Sequence, residues 1–253
     1  MVQQLYPQAM QPDKLHPDSD GKPLADNTIQ FHLIMKIQGG LDTLFSDDPL
    51  VFVAGDLLWY HSKSSSKSQA PDVMVVFGRP KGDRRSYRQW HEDNIPPQVA
   101  FEILSPSNTA EEMSEKFQFY QQHGVEEYYL YDPYKNKLQG WLRQGTQLIP
   151  IANMAGWISP RLGIRFETSR GVLDLYDPAG KRFESYVETA KRADQEAQRA
   201  EQEAQRAEQQ AQRAKQERQA RQNAIVRLLE LGLTVEQVAT ALDFSEEEIR
   251  KNL

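Results

Sequence analysis

Short apolar runs separated by turn residues fill the first 182 positions of the chain. The runs Val73–Phe77 and 99–104 have the length of buried strands, and each follows proline. The segment 51–60 is predicted to form one strand because it is rich in β-forming residues, although Gly55 predicts a bulge or bend within it. This pattern predicts a sheet as the centre of the domain.

Two other segments have helical periodicity. Asp26 or Asn27 can cap a helix that ends near Phe45. Its predicted apolar face consists of Ile29, Leu33, Ile37, Leu41 and Leu44. Ser107 or Asn108 can open a second helix, which Gly124 ends. A polar, serine-rich loop is predicted at 62–69, and shorter strands are predicted at 127–131, 138–142, 147–151, 162–166 and 172–176. This order of elements favours the α/β or α+β class, with a mixed sheet flanked by helices.

The pattern changes near residue 183. Alanine recurs at alternating spacings of three and four from Ala190 to Ala214, which predicts a long heptad helix over 183–231. Alanine buries little area, so this stretch is either one solvated helix or a close-packed coiled coil between chains. The coiled-coil interpretation predicts a homodimer or other homo-oligomer, with Ile225 and Leu228 continuing the seam.

Beyond Gly232, capping boxes at Thr234 and Ser245 predict a small helical hairpin. The hairpin has the form of a helix-turn-helix, but its second helix opens with three glutamates that would face phosphates with the wrong sign. Oligomerisation or partner docking is therefore favoured over DNA reading. The predicted layout is a lead-in at 1–22, a sheet domain at 23–182, the long helix at 183–231 and the hairpin at 232–253.

Composition narrows the classes of function. The chain has no cysteine, which excludes disulfides, thiolate zinc sites, iron–sulfur clusters and cysteine nucleophiles. No apolar run approaches the ~20 residues of a membrane span, and no export signal is visible, so we expect a cytoplasmic protein without a membrane partner. The net charge of −6 gives no global attraction to nucleic acid, so such binding would need a local patch.

Two carboxylates mark the compact strands. Asp72 opens Val73–Phe77, and Glu102 lies between apolar neighbours in the next run. If these strands lie side by side, both side chains converge at one end of the sheet, where their oxygens suit Mg²⁺ or Mn²⁺. The structural alternative is that Asp72 caps a turn and Glu102 pairs with a cation.

Lys116 lies at the flank of the buried face of the second predicted helix. From there its ammonium group can reach an adjacent cleft and orient a water molecule or stabilise charge on a phosphate. The structural alternative is an ordinary solvated lysine.

A basic segment could contact nucleic acid. It contains Arg79, Lys81, Arg84, Arg85 and Arg88, with Tyr87 and Trp90 among them. Cations and aromatic rings together suit a backbone track with stacking platforms. The alternative is a solvated loop, since acidic residues accompany the cations.

Taken together, three motifs resemble the Uma2 family of restriction endonucleases, within the PD-(D/E)xK nuclease superfamily. They are Pro71-Asp72, then Phe101-Glu102-Ile103-Leu104-Ser105-Pro106-Ser107, then Lys116 followed by Tyr120, Gly124-Val125, Glu127-Tyr128 and Asp132-Pro133. The resemblance covers about 23–177 and implies a mixed sheet flanked by helices, with a strand-borne Asp and Glu that bind Mg²⁺.

The resemblance assigns the catalytic residues Gln30, Asp72, Glu102 and Lys116, with the Ile103 carbonyl as a further metal ligand. Leu104 occupies the lysine position of the Glu-x-Lys signature, and Lys116 on the following helix is the matching substitute. The implied function is Mg²⁺- or Mn²⁺-dependent hydrolysis of phosphodiester bonds in DNA. The alternative is a nuclease-fold protein with a weak or silent site, acting as a binding or scaffolding module through its coiled coil.

Overall fold

The computed structural model describes residues 13, 15–21 and 23–251. In chain order its elements are α1 (Thr28–Leu44), β1 (Val51–Gly55), β2 (Trp59–Tyr60), β3 (Ser68–Gln69), β4 (Val73–Phe77), β5 (Tyr87–Arg88), a 3₁₀ turn (Gln89–His91), β6 (Val99–Ile103), α2 (Ala110–Gln122), β7 (Glu127–Asp132), β8 (Lys137–Gln144), β9 (Gln147–Pro150), β10 (Arg165–Glu167), β11 (Asp174–Tyr176), α3 (Tyr186–Glu230), α4 (Val235–Leu242) and α5 (Glu246–Lys251). Most of the predicted lead-in at 1–22 lies outside the described residues.

A six-stranded mixed sheet organises the first part of the chain, in the order β1-β4-β6-β7-β8-β9. The β6/β7 pair is parallel, because α2 carries the chain back between these two strands, and the other pairs of this sheet are antiparallel. Smaller sheets are formed by β10 with β11 and by β2 with β3 and β5. The predicted fold class, a mixed sheet flanked by helices and followed by a long helix, is confirmed.

Alternation along β6 divides the core into two layers. Val99, Phe101 and Ile103 face the layer that contains α1 and the β10/β11 sheet. Ala100 faces the opposite layer, which contains α2 and Trp59. The central strands therefore bury both faces, which explains why they read as continuous apolar runs.

Helix α1 begins where the sequence predicts and buries most of the predicted face. The Asn27 side chain caps it by accepting the Gln30 N–H at 3.0 Å. Ile37 and Leu41 are buried as predicted, and Leu33 and Leu44 are partly buried against the same core. The predicted face was wrong at Ile29, whose surface is 47% exposed. At this end of the helix Gln30 and Ile34 are buried instead.

Helix α2 begins one or two residues later than predicted. Its N-cap is Thr109 rather than Ser107 or Asn108, and the side chains and N–H groups of Thr109 and Glu112 form a reciprocal capping box. Gly124 follows the helix with φ of 98°, as its predicted role in helix termination requires.

The segment 51–60 is divided into two strands rather than one. β1 ends at Gly55, Asp56 adopts φ of 47°, and the chain then joins a different sheet as β2. The predicted bend at Gly55 is therefore confirmed, and the single long strand was wrong. β5 was not predicted, and β3 lies at the end of the predicted loop 62–69.

The chain divides into two compact units, 1–188 and 189–253. The described part of the second unit contains most of the 45-residue helix α3, with α4 and α5. Ile225 is fully buried against Val238 and Ile249, and Leu228 packs against the same cluster. The prediction that these two residues continue an intermolecular seam was wrong, because the hairpin of the same chain covers them. No helix in the described ranges is both long and apolar enough to cross a membrane.

Adjacent glycines in α1 provide a test of packing in the first unit. A Cβ atom on Gly40 would lie 2.1 Å from Cδ2 of Phe183, whereas one on Gly39 would have no heavy atom within 4 Å. We expect Gly40→Ala to destabilise the protein by about 1–3 kcal/mol through overpacking. Gly39→Ala should stabilise it by about 0.5–1 kcal/mol, because alanine favours the helix. Urea unfolding of both variants measures the difference, and equal effects would contradict the described contact.

Candidate active site

The pairing of β4 with β6 brings two acidic residues together. Val73 is the partner of Phe101 in this antiparallel pair, so Asp72 and Glu102 occupy the next opposing positions. Both are buried, with 6% and 3% of their surface exposed. The Ile103 N–H donates a hydrogen bond to Oδ2 of Asp72 at 2.6 Å. The predicted convergence at one end of the sheet is present.

Helix α2 supplies two side chains to Glu102. Nζ of Lys116 lies 2.7 Å from Oε2 of Glu102 and donates to the Ala70 carbonyl at 3.3 Å. The hydroxyl of Tyr120 donates to Oε1 of the same carboxylate. Lys116 and Tyr120 reach one acceptor because residues four apart lie on the same side of a helix. Both oxygens of Glu102 are therefore bound.

Gln30 touches the site through the backbone of β6. Its Nε2 donates to the Ile103 carbonyl at 2.9 Å, and its Oε1 accepts the Asp26 N–H at 2.9 Å. Ile103 thus connects Gln30 on one side with Asp72 on the other. The structure brings all of the residues assigned by the family resemblance to one end of the sheet, but Gln30 acts on Ile103 rather than on a carboxylate.

Burial and neighbouring charges perturb the ionisation of the groups at this site. Burial, followed by the nearby charge of Glu102, raises the pKa of Asp72 to about 8. Burial and the charge of Asp20 raise the pKa of Asp56 to about 6. For Lys116 burial alone would lower the pKa, but the charges of Glu102 and Asp72 outweigh it and raise the pKa above its usual value. The Asp72 carboxyl therefore ionises with difficulty unless a further cation is present.

The donor chemistry fits a divalent cation. Asp72, Glu102 and the Ile103 carbonyl offer the hard oxygen ligands that Mg²⁺ and Mn²⁺ prefer. The pKa of Asp72 is raised first by burial and then by the charge of Glu102, and a bound cation would lower it. Within the described ranges, no group of three or more His, Asp and Glu side chains is gathered tightly enough to hold a metal by itself. The carbonyl and water would complete the coordination.

The family profile described as "Putative restriction endonuclease", named Uma2, matches residues 19–175. This chain belongs to the Uma2 family. The resemblance inferred from the sequence motifs is thereby confirmed. No curated protein matched the chain.

Among solved structures, a crystal structure described as "a putative nuclease belonging to DUF820 from Anabaena variabilis ATCC 29413" is similar to this Uma2 chain at 15% sequence identity. The similarity covers 55% of this chain and 74% of that chain, with a TM-score of 0.40.

The predicted DNA-contacting cations of the basic segment all form ion pairs with acidic residues other than Asp72 and Glu102. Its five cations are paired as follows: Arg79 and Arg84 with Glu92, Lys81 with Asp42, and Arg85 and Arg88 with Asp18. Tyr87 is fully buried, so its predicted role as a stacking platform was wrong. The ring of Trp90 packs against His16, with centroids 4.8 Å apart. Contact of the five cations with DNA stays a prediction.

Two further residues beside these carboxylates were not among the predicted site residues. Tyr120 entered only as part of the family motif, and its spacing of four from Lys116 was the signal that both reach one target. Asp56 follows β1 at a left-handed turn, where its N–H donates to the carbonyls of Pro71 and Asp72 at 3.2 and 3.3 Å. Its position after Gly55 was the available signal, but the strand break was needed to interpret it.

Two buried tyrosines of α2 and β7 provide a matched test of the Glu102 contacts. Tyr120→Phe removes a donor from a buried carboxylate, so we expect a loss of about 1–3 kcal/mol in the free energy of unfolding. Tyr128 has a buried hydroxyl with no hydrogen-bond partner, so Tyr128→Phe should leave stability within about 0.5 kcal/mol or raise it. Chemical denaturation at pH 7 compares them, and equal losses would contradict the Tyr120–Glu102 hydrogen bond.

Proposed function

We propose that this chain is a Mg²⁺- or Mn²⁺-dependent endonuclease of the PD-(D/E)xK type that hydrolyses phosphodiester bonds of DNA. The observation that carries the proposal is the meeting of Asp72, Glu102 and Lys116 at one end of β4 and β6. Membership of the Uma2 family supports the same chemistry. A cytoplasmic location stays a prediction from the sequence.

Each residue has a distinct role in this proposal. Asp72, Glu102 and the Ile103 carbonyl would hold the cation. When bound, such an ion polarises the scissile phosphate and lowers the pKa of a water molecule. Gln30 fixes the Ile103 carbonyl by hydrogen bonding, which keeps that backbone oxygen in place.

Lys116 would act on the reacting groups from α2. Its ammonium group already lies at Oε2 of Glu102, although Leu104 occupies the strand position where the superfamily signature has lysine. From this position it would orient the attacking water or stabilise charge on the phosphate. Tyr120 holds the other oxygen of Glu102 and so orients the carboxylate.

One observation favours the second candidate function, a nuclease-fold scaffold with a silent site. Both oxygens of Glu102 are engaged by Lys116 and Tyr120. To bind a metal ion, Glu102 would have to give up or share its contact with Lys116 or with Tyr120. In the scaffold alternative the Glu102–Lys116 pair is a structural ion pair and nothing more.

The five cations predicted to contact DNA differ in how exposed their side chains are. They are Arg79, Lys81, Arg84, Arg85 and Arg88. The side chains of Arg79 and Arg84 are only 15% and 12% exposed, and both hold Glu92. Arg85 is 71% exposed and is therefore the member of this set best placed to reach a phosphate.

Nicking of supercoiled plasmid distinguishes the two functions. We expect the wild-type protein to nick plasmid with Mg²⁺ or Mn²⁺ and to lose this activity with EDTA. Asp72→Asn and Glu102→Gln should each lower the rate by at least about 100-fold, because a metal ligand is lost. Lys116→Met should lower the rate by about 100-fold or more while plasmid binding persists.

Glu126→Gln is the control for these variants. Glu126 is a partly exposed carboxylate that pairs with Arg161 away from the site, so its rate should match the wild type. Absence of metal-dependent nicking by the wild-type protein would favour the scaffold, as would activity that survives Asp72→Asn and Glu102→Gln.

We also propose that the chain forms a homodimer through the alanine seam of α3. Residues 189–223 of this helix are exposed apart from Arg192, so the seam has no cover within the described chain. Acidic residues flank it on both sides, namely Asp194, Glu196, Glu201, Glu203 and Glu208. Association should therefore strengthen as salt screens their repulsion.

Sedimentation velocity at low and high salt tests the homodimer. We expect a dimer that strengthens between 50 and 500 mM NaCl, and Ala204→Arg should make it monomeric by placing a charge in the seam. Gln202→Arg adds the same side chain to the outer face and should stay dimeric. A monomeric wild type at all salt concentrations would contradict the proposal.

A further inference from the structure

A surface groove beside α1 gathers basic residues that the proposed site does not use. Lys36, Arg170 and Arg182 line it, together with Asp174 and Glu188. All three cations surround Asp174, whose side chain is 3% exposed, with contacts of 3.4, 2.8 and 3.4 Å. We call this feature the α1 groove.

The buried carboxylate of Asp174 holds the cations of the α1 groove together but does not occupy all of their N–H donors. Nε and Nη2 of Arg170 bind one oxygen of Asp174, while the Arg170 side chain remains 62% exposed. Arg182 divides its guanidinium between Asp174 and Glu188. Each arginine has five N–H donors, so several remain available to an oxyanion. Burial alone would raise the pKa of Asp174, but the surrounding cations hold the pKa below its usual value.

The charge balance in the α1 groove differs from that in the segment 79–88. Among its described lining residues, three Lys and Arg side chains meet two carboxylates, which leaves a positive excess. In the segment 79–88, Glu92 and Asp93 both bind Arg79, and Glu92 also binds Arg84. Arg84 additionally donates to the Pro80 and Gly82 carbonyls, so that it mainly holds its own loop together.

The α1 groove lies on the same helix as Gln30. Lys36 follows Gln30 by six residues, which is about 9 Å along the axis of a helix. Gln30 contacts Ile103, and Ile103 contacts Asp72. The α1 groove is therefore connected to the carboxylate site through α1 and the Ile103 peptide, while Glu102 itself faces the layer of α2.

We propose that the α1 groove binds a backbone phosphate of DNA. Arg170 supplies the most exposed guanidinium, and Lys36 and Arg182 add charge behind it. This assignment rests on the proposed function, because it takes DNA as the ligand. The same chemistry would accept free inorganic phosphate, so the test includes both sources.

Fluorescence anisotropy of a labelled 20-bp duplex, measured with EDTA over a range of salt, tests the assignment without requiring cleavage. We expect Arg170→Gln to weaken binding about 5-fold at 100 mM salt. The slope of log K against log salt should fall by about 0.9, the value for one lost phosphate contact. Lys36→Gln should act in the same direction, so the conclusion does not rest on one variant.

Arg161→Gln is the matched control. Arg161 is also exposed and also binds one carboxylate through Nε and Nη2, but its acceptor is Glu126, outside the α1 groove. Its duplex affinity should change less than twofold. Thermal melts of all three variants should show folded protein, since Asp174 keeps two cations in either groove variant.

Three results would overturn the assignment. One is unchanged affinity and slope in both groove variants, and another is equal weakening by Arg161→Gln. The third is displacement of the duplex by inorganic phosphate at the same total phosphate concentration, which would make the groove a small-anion site. Arg170-dependent duplex binding by a protein that nicks no plasmid would refute the proposed function and leave this inference intact.

Discussion

The burial of Glu102 near the end of a central strand is the constraint on which the rest of the site depends. An ionised carboxylate in this position is strongly unfavourable unless cations and donors meet it. Lys116 and Tyr120 provide them, and both come from α2, which carries the chain from β6 to β7. Loss of one partner of a buried ion pair typically costs about 3–5 kcal/mol, so α2 and β6 are held in one relative position.

The same constraint links the two faces of the sheet. Glu102 faces the α2 layer, whereas its neighbour Ile103 packs into the α1 layer and uses its backbone to bind Gln30 and Asp72. A displacement of α1 would therefore move the Ile103 backbone and, through its hydrogen bond, the Asp72 carboxylate. Gln30 can make this connection because its side-chain amide donates a hydrogen bond, which an apolar side chain on the same helix face could not do.

Charge has a different organisation in the two basic regions. In the segment 79–88 the acids neutralise the cations and stabilise a loop, whereas Asp174 collects cations at the surface with donors to spare. The sequence shows the first group because its members are adjacent. Lys36 and Arg170 are 134 positions apart, so only the fold could assemble the second group.

The sequence by itself determined the local elements and part of the site. Short apolar runs specified β4 and β6, Gly124 specified the end of α2, and the alanine heptads specified α3. These features are local because they depend on propensity, capping and periodicity. The motif spacing, with the family resemblance, also singled out Asp72, Glu102 and Lys116 as candidates, and the structure brings these three residues together.

Only the tertiary structure decided which surfaces meet. It placed Gln30 rather than Ile29 against the sheet, buried Tyr87, and covered Ile225 with α4 and α5. Hydrophobic periodicity marks an apolar stripe, but a shift of one residue depends on the partner surface. Polar partners such as Tyr120 for Glu102 are fixed by distances between elements, and these arise only when the elements pack.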